Sequence, residues 1–84
     1  MAHAIKPSAR KHGIADEDIL HAIEHALVWL RRGNRYLYPG PDRATNMLEV
    51  ISLIEDDLTE IVIHAMRMRG RYKPTLRGHG DPDA

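Results

Sequence analysis

Glu49 and His64 are the residues whose types and spacing most directly suggest chemistry. Two strand-forming runs, Met47 to Glu55 and Thr59 to Met66, flank Asp56-Asp57. A two-residue turn there would pair 55 with 58, 53 with 60, 51 with 62 and 49 with 64. Glu49 would then stand directly across from His64 on one face of a hairpin. A carboxylate beside an imidazole is a proton-transfer pair, since the imidazole can take or give a proton while the carboxylate fixes its orientation. The same spacing also describes an ordinary cross-strand ion pair, and a turn one residue longer would separate the two.

Two further groups bear on function. His21-Ala22-Ile23-Glu24-His25 has the H-x-x-E-H spacing of inverted zinc proteases, with both imidazoles on one helical face. That class needs a distant third ligand and a substrate cleft, for which a chain this short has little room, so a solvated polar face is the simpler reading and no metal site is assigned. Arg67, Arg69, Arg71 and Lys73 follow the last strand-forming run, with Tyr72 among them. Alternating arginines suit phosphate oxygens, and a tyrosine can stack on a base. They suit equally an acidic partner protein or a solvated edge.

The elements that must position these residues are few. Residues 1–8 read as a flexible lead-in, and Ala9 to Gly13 as a helical turn closed by glycine. Asp16 is the expected N-cap of a helix over 16–26, with Glu17 and Asp18 at the positive end of its dipole. Ile19, Leu20, Ile23 and Leu27 give that helix an apolar face. Periodicity would also allow it to run on to Gly33-Asn34. The preferred reading ends it near residue 26 and starts a strand at 27 or 28, because Val28 to Arg31 and Arg35 to Tyr38 flank a Gly-Asn turn like hairpin arms. Pro39-Gly40-Pro41-Asp42 reads as a loop extending to Asn46. The expected fold is therefore α+β, an N-terminal helix on a small, mostly antiparallel sheet with a short basic C-terminal arm. Leu20, Ile23, Leu48, Val50, Ile61 and Ile63 should be buried. One domain spans 9–76, and 77–84, without an apolar anchor, should be disordered.

With 84 residues the chain can build one core, and a partner or a second copy would help stabilise it. Cysteine is absent, which removes disulfides, thiol catalysis and cysteine-rich zinc sites. No run approaches the about 18 apolar residues of a membrane span, and no signal-peptide pattern opens the sequence, so a cytoplasmic location is expected. Twelve basic and twelve acidic residues cancel. The total therefore does not point to nucleic acid; only the basic cluster near the end does.

Taken in order, the segments resemble a known pattern. Lys11-His12-Gly13-Ile14 precedes an acidic-capped helix. Arg35-Tyr36-Leu37-Tyr38 and a Gly40-Pro41-Asp42-Arg43 turn follow, then Leu48-Glu49-Val50, Ile63-His64-Ala65-Met66 and a basic arm through Arg71-Tyr72. Over about residues 10 to 76 this resembles the BrnT-like toxins of the RelE/ParE superfamily, from bacterial type II toxin–antitoxin systems. The resemblance implies an endoribonuclease that works without metal or other cofactor on RNA, free or on the ribosome, and is neutralised by a cognate antitoxin protein. By position, Glu49, His64 and Arg67 would be catalytic, and Arg43, Arg69, Tyr72 and Lys11 would bind RNA. The chain departs from the pattern in its neutral charge and in Gly-Pro-Asp-Arg where Gly-Arg-Thr is expected. A non-catalytic protein-binding module and, more weakly, a histidine-based metal-binding protein are the competing readings.

Overall fold

The computed structural model describes residues 4–68. They form an α+β fold with one α-helix and a five-stranded mixed sheet. In chain order the elements are β1 (Ala4–Ile5), a 3-10 turn (Pro7–Arg10), α1 (Asp16–Glu24), β2 (Leu30–Arg32), β3 (Arg35–Pro41), β4 (Met47–Ile54) and β5 (Glu60–Arg67). The sheet order is β1-β5-β4-β3-β2, antiparallel throughout except that β1 runs parallel to β5. The helix is thus not the first element. Ala4 and Ile5, within the expected lead-in, pair with Ile61 and Val62.

The helix cap lies one residue earlier than expected. Ala15 is the N-cap and makes no side-chain capping bond, while Asp16 forms a two-pronged ion pair with Arg10 at 2.9 Å. The Arg10 guanidinium holds the Asp16 carboxyl below its usual range. Three acidic residues in the first turn still complement the helix dipole. Ile19 and Ala22 are fully buried against the sheet, with Ile23 packed beside them. Leu20, expected in the core, is 36% exposed, because the 19/22/23 stripe is the one that faces the sheet. Helix and sheet approach closely at Gly40, where an added Cβ would lie 2.0 Å from the Ala22 carbonyl oxygen.

The first hairpin forms later than expected, with arms Leu30–Arg32 and Arg35–Pro41 about a Gly33-Asn34 turn. Gly33 sits at φ 63, the left-handed region that a glycine-first hairpin turn uses. Pro39-Gly40-Pro41 is strand rather than loop. β2 ends where Leu30 pairs with Leu37, so the rest of β3 is an edge, where proline costs no ladder bond. The corner at 42–46 is organised by the Asp42 carboxylate, which accepts from the backbone N–H groups of Ala44 and Asn46, both at 2.8 Å.

The β4–β5 hairpin matches expectation in existence but not in register. Its turn spans Glu55 to Thr59, with Glu55 N–H donating to Thr59 O. Ile51 pairs with His64 and Ser52 with Val62, which leaves Ile63 as a bulge. Below the bulge Glu49 pairs with Met66 and Val50 with Ala65. The buried set on the helix side is therefore Leu48, Val50, Val62 and Ala65, joined by Ala9. Ile61 and Ile63, expected there, are only partly buried.

Candidate functional site

Glu49 and His64 share the sheet face opposite the helix. Glu49 pairs with Met66 and His64 with Ile51, so the two are diagonal neighbours rather than directly opposed. That offset still allows a hydrogen bond, and His64 Nε2 lies 3.0 Å from Glu49 Oε2. The Glu49 side chain is fully buried, whereas 23% of the His64 side chain reaches solvent. A buried carboxylate is a fixed acceptor, so it selects the tautomer in which Nε2 carries the proton and donates to it. In that neutral tautomer Nδ1 carries the lone pair.

The bulge and the N-terminal segment build this arrangement together. The Ile63 carbonyl accepts a bond from the Ser8 hydroxyl at 2.9 Å, and the Lys6 N–H donates to Val62 O at 3.0 Å. With the 3-10 turn thus pinned to β5, the chain carries Lys11 and His12 past His64. The His12 and His64 rings meet edge to face, with centroids 5.7 Å apart. Gly13, at φ 78, then turns the backbone toward the helix. Sequence reasoning gave exposed His12 no role of its own. The signal that could have found it was the Lys-His-Gly segment itself, because a glycine beside two cations marks a turn that presents them.

Arg67 and Arg43 do not join this constellation. Arg67 pairs with Leu48, on the helix side of the sheet. Arg43 is committed to Asp18, with Nε 2.8 Å from Oδ1 and its backbone N–H 3.0 Å from the same oxygen. Those bonds hold the Asp18 carboxyl below its usual range. Lys11 is exposed, next to His12 in sequence. Arg69 and Tyr72, with Arg71 and Lys73, lie outside the described residues.

The histidines of the H-x-x-E-H segment are stacked, with ring centroids 4.0 Å apart. His21 Nδ1 is bonded to Pro41 O and His25 Nδ1 to His21 O. Among the described residues no group of three or more metal-ligating side chains converges. A separate polar cluster lies on the helix face, where Tyr38 and Ser52 both donate to Glu60 Oε2. Burial, then that carboxylate, pushes the Tyr38 phenol up. No helix among the described residues is long and apolar enough to cross a membrane.

Comparison with protein-family models, with curated proteins and with solved structures finds no match to this chain.

Proposed function

We propose that this chain is a BrnT-like toxin of the RelE/ParE superfamily, an endoribonuclease that cleaves RNA by acid–base catalysis and is held in check by a protein antitoxin in the cytoplasm. One observation carries the reading. His12 from the Lys-His-Gly segment and His64 from the last strand, which belong to two of the segments behind the resemblance, meet in space beside a buried carboxylate.

The chemistry follows from that geometry. Glu49 accepts the Nε2 proton of His64 in a hydrogen bond and so leaves Nδ1 as the base. Nδ1 takes the proton of a ribose 2′-hydroxyl. The 2′-oxygen bonds to the adjacent phosphorus, and the bond from phosphorus to the 5′-oxygen breaks. The products are a 2′,3′-cyclic phosphate and a 5′-hydroxyl, whose proton comes from the His12 imidazolium. Lys11, on the same segment, offers positive charge to the phosphate as its own charge grows.

The test is cleavage of an RNA oligonucleotide by purified protein, with the DNA of the same sequence as a substrate that lacks the attacking hydroxyl. Wild type should yield cyclic-phosphate ends from RNA and leave DNA intact. His64→Ala should lower kcat by about 10²-fold or more while retaining binding. Glu49→Gln should lower it less, because an amide can still accept the Nε2 proton. A wild-type protein that neither cleaves RNA, with or without ribosomes, nor arrests growth on expression would overturn the enzyme and leave a binding module.

A further inference from the structure

We infer that Arg32 and Arg35 form a binding site for the phosphate backbone of single-stranded RNA, on the same sheet face as His64. The inference rests on the reading above for the polymer, but on separate residues for the site.

Arg32 and Arg35 are Cα partners across the Gly33-Asn34 turn, so their side chains leave the same face of the hairpin. Like charges directly opposed on adjacent strands destabilise a sheet unless something neutralises them. Both residues are exposed, and among the described residues neither side chain has a hydrogen-bonding or ion-pair partner. Neighbouring Arg31 behaves differently. It opposes Tyr36 on the helix side, donates from Nε to Gly33 O at 2.9 Å and lies over the Tyr36 ring. The hairpin therefore secures one arginine and presents two without a counter-ion. A phosphate group, with oxygens that suit two guanidinium forks, would neutralise both.

What lies between the pair and His64 defines the ligand further. A hollow at the arginines is lined by Leu30, Leu37 and Ile51 together with Arg31, Tyr36 and the pair itself. The register places Leu30 against Leu37, Leu37 against Ile51 and Ile51 against His64, a row that crosses the sheet toward the catalytic histidine. Leu37 and His64 are two strand spacings apart, or about 10 Å. The Leu30, Leu37 and Ile51 side chains offer no hydrogen-bonding group to a base edge, so this part of the hollow would take a base by its flat face and without regard to sequence. A base can lie on it only if it is unpaired. An apolar row ending in His64, with the paired arginines in the next row on the same face, suits a single strand, with one phosphate held at the hairpin while another is cut.

The test measures binding of a short fluorescent RNA, single-stranded or annealed to its complement, to protein carrying His64→Ala so that no substrate is consumed. The single strand should bind at least about tenfold more tightly than the duplex. Arg32→Ala with Arg35→Ala should weaken single-strand binding at least tenfold. It should also flatten the dependence of log K on log salt by up to about 0.7 for each phosphate that the arginines no longer neutralise. Arg31→Ala, at an arginine that lines the hollow but is already bonded to Gly33 O, should weaken binding less than the double variant does, and thermal melting should show both variants folded. Equal losses in the two variants, an unchanged double variant, or equal binding of duplex would overturn the site, as would an acidic peptide that needs Arg32 and Arg35 when RNA does not. If wild type fails to cleave but binds single strands through these arginines, the ribonuclease reading fails and the site stands. If cleavage is intact and the double variant binds normally, the reverse holds.

Discussion

Replacing Gly40 with alanine tests the seating of the helix on the sheet. The added Cβ would meet Ala22 O at 2.0 Å and Ala22 C at 2.8 Å, both backbone atoms that no rotamer change can move. Bringing the first contact to the 3.4 Å of ordinary van der Waals approach requires strand and helix to part by about 1.4 Å. That gap would loosen Ile19 and Ala22, both fully buried. Overpacking alone typically costs about 1–3 kcal/mol, and a contact this short against rigid backbone belongs at or above the top of that range. For a domain of this size about 3 kcal/mol corresponds to a fall of about 12–24 °C in Tm. The assay is urea unfolding followed by circular dichroism, with Gly33→Ala alongside. Gly33 meets nothing within 4 Å and is strained only by its φ of 63, so its loss should be about 1–2 kcal/mol. A Gly40→Ala protein within about 1 kcal/mol of wild type would refute the close seating of α1 on β3. A Gly33→Ala loss as large as that at Gly40 would refute the assignment of the cost to contact.

Two further outcomes follow. The Asp18 carboxyl is held below its unfolded value by Arg43, so its contribution to stability is fully present above about pH 3.9 and is lost as the pH falls through the lower folded value. Asp18→Asn should therefore lower Tm at pH 7, with the difference from wild type vanishing in acid; a difference that grows below pH 4 would contradict the sign. Leu58, in the β4–β5 turn, is 80% exposed and sits at φ 69, where a branched side chain is strained. Leu58→Asn should stabilise the protein by about 0.5–1 kcal/mol in urea titration, and a loss would show that the leucine makes a contact outweighing its backbone cost.

The two hairpins were legible because their apolar runs alternate about recognisable turn residues, and the helix because its acidic start and its stripe agree. Glu49 and His64 were brought together correctly by an incorrect register. The turn is longer than Asp56-Asp57 and the bulge adds a residue, yet a diagonal pair still lies within reach. The bulge itself leaves no mark on the sequence, because the unbroken apolar run Ile61-Val62-Ile63 offers an apolar residue to the helix in either register. β1 was invisible because two residues carry no period, and it forms only because β5 offers an open edge. His12 was missed because its ring neighbour, His64, lies far along the sequence. The prolines of β3 read as a loop because their tolerance depends on β2 being only three residues long.

The bulge at Ile63 also means that this sequence encodes two competing hairpins. In the straight alternative, Ile61, Ile63 and Ala65 would face the helix and a tight aspartate turn would close the strands. Both arrangements place aliphatic side chains against the helix, so the apolar pattern alone does not choose between them. The choice falls to contacts from outside the hairpin. Ser8 holds the Ile63 carbonyl, which the extra residue leaves out of the ladder, and Ala4 and Ile5 pair along the neighbouring stretch of β5. Residues 4–8 thus act as an arbiter of register for strands far along the sequence. A chain without them would partition between a hairpin that presents His64 beside Glu49 diagonally and one that opposes the two directly.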